Sequence, residues 1–168
     1  MTNIPLTIRK AEIKDLQAIV DIYNSTVESR MVTADTEPVG VEMRLNWFYD
    51  HHEKRPLWVV ENNGTICAWI SFQDFYGRPA YQATAEISVY LHENTRGKGL
   101  GGQLLSSIIK ECPGLNIENL VAFIFAHNQP SIRLFQKYGF AQWGLLPEVA
   151  ELDGTKRDLI ILGKKIEL

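Results

Sequence analysis

This 168-residue sequence predicts an α/β domain built on a mixed central sheet. Three features carry that reading. From Thr84 to Leu91 the alternation is strict, with Ala85, Ile87, Val89 and Leu91 on one face and Glu86, Ser88 and Tyr90 on the other. Leu16, Ile19, Val20, Tyr23 and Val27 recur at helical spacing. Leu120 to Ala126 is a continuous apolar run of the kind buried on both faces of a sheet.

The remaining elements follow in order. Ile4 to Lys10 reads as a first strand, and the helix that begins near Asp15 gives way to a loop from Ser29 to Gly40. Val41, Leu45 and Phe48 mark a second helical stripe, which must stop before Pro56. Leu57 to Glu61 and Thr65 to Phe72 form a hairpin, because Asn62-Asn63-Gly64 tolerates positive φ. Phe75 to Tyr81 interrupts the sheet. A helix from Leu100 to Cys112 ends at Pro113-Gly114, and a shorter one from Ser131 to Tyr138 closes at Gly139. Two last strands, Ala141 to Leu146 and Lys156 to Lys165, are joined through Asp153-Gly154. The total is about seven strands and about four helices. With no repeat or linker, residues 1–168 are expected to form a single domain.

Composition narrows the function. Hydrophobic residues are 45%, charged residues 22% and the net charge is −3, so nothing suggests a nucleic-acid partner. Cys67 and Cys112 are isolated and fit thiols in a reducing compartment. Met1 to Lys10 lacks a basic region followed by an apolar core, and no apolar run reaches the roughly 20 residues of a membrane span. The expected location is the cytoplasm. His52-Glu53 and His92-Glu93 each begin H-E-x-x-H but meet Pro56 and Arg96 instead of a second histidine, so no metal site is expected.

The chemically informative segment is Arg96-Gly97-Lys98-Gly99-Leu100-Gly101-Gly102, between a strand and a helix. Backbone N–H groups at a helix start bind anions, and glycines let a phosphate approach closely. A solvated basic turn is the plainer alternative. Gly97, Gly99 and Gly102 satisfy G-x-G-x-x-G, but five residues separate Leu91 from Gly97 and no acidic residue ends the next strand, against a dinucleotide fold. A P-loop fails because Gly99 follows Lys98. The pattern that remains is R/Q-x-x-G-x-G/A, filled by Arg96, Gly99 and Gly101.

Together with Ala85 to Leu91 before it, and Asn128, Ser131, Leu134 and Gly139-Phe140 after it, this segment resembles the acetyl-CoA motifs of the GNAT superfamily of N-acetyltransferases. Tyr76 to Tyr81, Glu86 to Tyr90 and the loop Ser29 to Asp35 resemble, more narrowly, the phosphinothricin N-acetyltransferase family. The resemblance covers nearly the whole chain. It implies a fold in which two central parallel strands splay apart, and acetyl-CoA as cosubstrate. Val89, Tyr90 and Leu91 would line the pantetheine arm, and Arg96, Gly97, Lys98, Gly99, Leu100, Gly101 and Gly102 would hold the pyrophosphate, with Asn128 contacting the cofactor.

The same resemblance makes Glu86 the general base. An acceptor ammonium with a pKa of about 8 or higher must lose a proton before it can attack, and a base at the ordinary value of about 4.3 would be too acidic, so burial should raise it. A plain Glu on a strand's polar face is the alternative. Arg78 resembles the family's loop arginine beside the acceptor pocket and would grip a carboxylate, with Phe75, Tyr81 and Met31 as an apolar wall. Phe135 stands where many of these enzymes have a tyrosine acid, so the acid is unassigned and Tyr138 is a possible substitute. The function expected is acetyl transfer to the amino group of a phosphinothricin-, methionine sulfoximine- or methionine sulfone-like substrate, in a ternary complex, by a homodimer. Acetylation of a peptide or protein, and a non-catalytic acyl-CoA sensor, are the alternatives.

Overall fold

The computed structural model describes residues 5–167. Along the chain it places β1 (Thr7–Lys10), α1 (Leu16–Ser25), α2 (Leu45–Tyr49), β2 (Leu57–Asn62), β3 (Thr65–Asp74), β4 (Thr84–Leu91), α3 (Leu100–Ile109), β5 (Asn119–Phe125), α4 (Gln129–Lys137), β6 (Ala141–Leu152) and β7 (Thr155–Lys165). The strands make one seven-stranded sheet in the order β1-β2-β3-β4-β5-β7-β6. All neighbours are antiparallel except β4 and β5. The mixed sheet and its element types agree with the expectation. The first strand begins at Thr7 rather than Ile4, and Ile4 lies outside the described residues.

Strand alternation sorts the core into two layers. Ala85 and Ile87 of β4, with Ile70 and Phe72 of β3, pack beneath Leu100, Leu104, Leu105 and Ile108 of α3 and Ile132 and Phe135 of α4. On the opposite face Val59 and Trp69 pack with Ile19, Ile22 and Tyr23 of α1 and with Trp47 and Phe48 of α2. The helical stripe that begins at Val41 resolves into a tight 3-10 turn, Val41–Arg44, followed by the five-residue α2. Beyond it, the His51 Nδ1–H donates to the Trp47 carbonyl at 2.9 Å, satisfying an end group of that helix. At the first edge, Arg9 clamps the start of α1 to the sheet: its guanidinium meets the buried Asp15 at 2.8 and 2.9 Å and Glu61 at 2.9 Å.

The feature that positions the site is the β4–β5 pair. It holds register only at Thr84 with Asn119, Ala85 with Leu120 and Glu86 with Val121. Beyond Glu86, β4 continues to Leu91 beside β3, while β5 continues to Phe125 beside β7. The two central parallel strands therefore splay, and a gap opens toward their C-terminal ends.

Candidate active site

A cavity of about 350 Å³ lies at that gap, lined by Val89, Leu91, Arg96, Gly97, Gly99, Leu100, Gly101, Gly102 and Asn128, and also by Val32, Pro130, Ser131, Leu134 and Phe135. Two of the expected cofactor residues, Tyr90 and Lys98, are not in its wall. Lys98 is exposed on the turn. Tyr90 is excluded by backbone pairing. The His92 N–H donates to the Cys67 carbonyl at 2.9 Å, and hydrogen-bonded positions alternate along an antiparallel pair. Tyr90 and Ser88 therefore turn their N–H and C=O groups to β3, while Val89 and Leu91 turn theirs into the gap that β5 has left.

The glycine turn suits a diphosphate. Gly97 and Gly99 have φ of +76° and +77°, the left-handed region that side chains disfavour. A side chain added at Gly97 would meet nothing within 4 Å, so its outer side is open. Gly99 is the N-cap of the ten-residue α3, whose first-turn N–H groups have no partner within the helix. Gly101 and Gly102 are small for a different reason: an added Cβ would stand 2.8 Å from Leu134 Cδ2 or 2.6 Å from the Tyr138 hydroxyl. Across the cavity Asn128 caps α4, its side-chain oxygen accepting from the Ser131 N–H at 3.3 Å. These residues fit the diphosphate and extended arm of acetyl-CoA.

Glu86 lies at the last paired position before the splay, on the face away from α3. Its carboxylate is partly buried and has no hydrogen bond or ion pair among the described residues, and burial raises its pKa above the ordinary value. Gln73 is its cross-strand neighbour, and Ser88 and Tyr90 continue the same half-exposed face.

The acceptor residues are gathered only in part. Phe75, Arg78 and Tyr81 do line one cavity, of about 330 Å³, with His52, Lys54, Arg55, Asp74 and Asn116 among its other walls. That cavity contains neither Glu86 nor any residue of the cofactor gap. The physical reason is strand parity: Asp74, whose carboxylate meets Arg55 at 2.9 Å, shares the α3 face with Ile70 and Phe72, whereas Glu86 and Gln73 face the other way. Met31 lines neither cavity; its neighbour Val32 reaches the cofactor gap. Phe135 is buried edge-on against Phe140, and the Tyr138 hydroxyl lies over Gly102. Sequence reasoning missed Val32 and Pro130 as cavity residues; Pro130 had a signal, since it directly follows Asn128-Gln129 at a helix start. No group of three or more metal-ligating side chains, and no helix long and apolar enough to cross a membrane, occurs among the described residues.

Comparison with known proteins gives the family. The protein of Bacillus subtilis (strain 168) that carries the provisional name phosphinothricin acetyltransferase YwnH is 57% identical, over 96% of this chain and 99% of its own. The L-methionine sulfoximine/L-methionine sulfone acetyltransferase of Salmonella typhimurium is 34% identical over 96% of this chain and 95% of its own. A provisionally named acetyltransferase from Salmonella typhimurium, solved with its cofactor acetyl-CoA, superposes with a TM-score of 0.87 at 33% identity, covering 96% of this chain and 94% of that one. The family model for the acetyltransferase (GNAT) family matches residues 17–140. The chain belongs to the GNAT family and is an N-acetyltransferase.

Proposed function

We propose that this enzyme acetylates the α-amino group of a small amino-acid-like acceptor, of the phosphinothricin, methionine sulfoximine or methionine sulfone kind, with acceptor and acetyl-CoA bound together. One observation carries the reading: the unpaired Glu86 carboxylate stands where β4 and β5 part, beside a gap that fits acetyl-CoA. Bound acetyl-CoA supplies the acetyl group in thioester form. Val89 and Leu91 offer their free backbone groups to its arm, and Gly97 to Gly102 with Arg96 hold its diphosphate. Glu86 takes the proton from the acceptor ammonium. Its raised pKa moves it toward the pH at which a base is both ionised and effective. Holding both reactants in one orientation supplies much of the acceleration.

The named activities of the curated relatives support an amino-acid-like acceptor; one solved neighbour, 32% identical, is named a ribosomal-protein-alanine N-acetyltransferase, so a protein acceptor is the second reading, and no observation favours a non-catalytic sensor. We also read the chain as a cytoplasmic homodimer, in which the exposed Trp143, Leu145, Leu146 and Val149 of the edge strand β6 would be covered. Initial rates measured over a grid of acetyl-CoA and L-methionine sulfone test the kinetic order. Intersecting double-reciprocal lines are expected. Parallel lines would mean a covalent acetyl-enzyme and would remove the ternary complex.

A further inference from the structure

The sheet divides where the cofactor gap opens. The β4–β5 register ends at Glu86 and Val121, which leaves β1 to β4 on one side of the gap and β5 to β7 on the other. Helix α1 belongs to the first half: the Trp69 indole N–H donates to the Ile19 carbonyl at 3.1 Å, and Tyr23 lies against Tyr90. The loop that follows α1 is fastened to both halves. On the near side the Tyr23 hydroxyl donates to Asp35 and meets Thr33. The Asn24 side chain also exchanges hydrogen bonds with the Val39 backbone at 2.9 and 2.8 Å. On the far side Arg30 reaches Asp153, in the turn between β6 and β7, through Nε at 2.7 Å and Nη2 at 3.4 Å. The Arg30 carbonyl accepts from the Nε2–H of His127, which follows the end of β5 and precedes Asn128 of the gap wall, at 2.7 Å. Val32 lies between the two sets of anchors and lines the cofactor gap.

Arg30 is held rather than resting. Its φ is +59°, in the left-handed region that a side chain disfavours and that persists where the surroundings impose it. Its remaining nitrogen, Nη1, donates to the Val27 carbonyl at 2.7 Å, so the whole guanidinium has acceptors. A planar fork filled in this way keeps one geometry. The Arg30 side chain is 29% exposed and that of Asp153 61%, so their pairing contributes little to the stability of the whole fold. Its leverage lies at the gap, because it ties the loop to the half of the sheet that β4 has left.

We propose that the loop from Arg30 to Asp35 is a clamp across the splayed sheet that sets the width of the acetyl-CoA gap, with Arg30 as its positioning residue. The clamp rests on the acetyl-CoA reading of the gap given above and acts through Val32. With Arg30 released, the Val32 wall withdraws and bound acetyl-CoA leaves faster. The effect falls on the cofactor and not on Glu86.

Calorimetric binding of acetyl-CoA and steady-state kinetics, with wild type, Arg30→Met, Asp153→Asn and the double variant, test the clamp. Arg30→Met should weaken acetyl-CoA binding about three- to tenfold, and Asp153→Asn about two- to fivefold, the scale of a partly exposed ion pair. KM for acetyl-CoA should rise in step. The double variant should bind no more weakly than Arg30→Met, since both changes cut the same tie. At saturating acetyl-CoA, kcat and the pH–rate profile should stay close to wild type. A purely structural role would instead lower the melting temperature and leave acetyl-CoA affinity alone. Unchanged affinity in both single variants, additive losses in the double variant, or a fall in kcat with KM unchanged would each overturn the proposal. Should Arg30→Met fail to fold, Asp153→Asn carries the test, because asparagine tolerates the φ of +52° at that turn. A wild type that binds no acetyl-CoA would remove the reading of the gap and the clamp together. Binding by wild type with no loss in the variants would remove the clamp alone.

Discussion

Gly102→Ala puts the packing of the cofactor turn to a quantitative test. In an ordinary helix this change stabilises by about 0.8–1.0 kcal/mol, because alanine loses less backbone entropy. Here the new methyl would lie 2.6 Å from the Tyr138 hydroxyl oxygen and 3.1 and 3.2 Å from two ring carbons. Relieving contacts of that kind costs about 1–3 kcal/mol in a packed core, so the net effect runs from neutral to a loss of about 2 kcal/mol. Tyr138→Phe removes the 2.6 Å contact and leaves the two milder ones. The double variant should therefore recover at least about 0.5 kcal/mol, the usual size of coupling between residues in contact. Chemical denaturation of the wild type and three variants measures that coupling. Because the hydroxyl is engaged in packing over α3, Tyr138→Phe alone should leave the shape of the pH–rate profile unchanged. Additive effects of the two substitutions would refute the described contact, and a selective loss of turnover in Tyr138→Phe would show that it supplies the missing acid.

Three further outcomes are expected. Gly99→Glu places a side chain at φ +77° and a negative charge at the start of α3; strain of about 1–2 kcal/mol should accompany loss of the melting shift that saturating acetyl-CoA gives wild type. Glu86→Gln should raise the melting temperature at neutral pH. The folded pKa of Glu86 lies above the unfolded one, so its charge opposes folding at pH values above them both, and the gain should vanish as pH falls below the unfolded value of about 4.3. Asp15→Asn should cost about 1.5–3 kcal/mol at neutral pH, the worth of hydrogen bonds to a charged partner. The Arg9 hydrogen bonds hold the Asp15 pKa below its usual range, so that stabilisation is present above about pH 3.9 and is lost in wild type as pH falls through the depressed value.

Element types were legible in the sequence because periodicity and glycine or proline punctuation act locally. The last hairpin shows the limit. β6 runs to Leu152 rather than Leu146, through register shifts at Gln142/Gly144 and Leu146/Ala150 and a positive φ at Glu148. Each irregularity breaks the alternation by which a strand is recognised. The glycine turn and Asn128 were legible as a cavity wall for the same local reason. Tyr90 was not excluded from that wall by its sequence, since which backbone groups face the gap depends on the β3 pairing. Arg78 sits only eight residues before Glu86 in sequence, but its cavity is walled by Asp74, which lies on the face of β3 opposite Glu86. The stack of Tyr23, Trp47, Trp69 and Tyr90 carried no motif at all, since its four rings come from α1, α2, β3 and β4 and only the fold assembles them.

The most direct test of the central claim is the pH dependence of acetyl transfer to L-methionine sulfone in wild type and Glu86→Gln, followed by thiol release at saturating acetyl-CoA. Wild type should turn over near neutral pH. Glu86→Gln should run roughly 10²-fold slower there, and the gap should close as pH rises and the acceptor amine deprotonates unaided. Equal rates at neutral pH, or a deficit that persists unchanged to high pH, would contradict the account of Glu86 as the base at the β4–β5 opening.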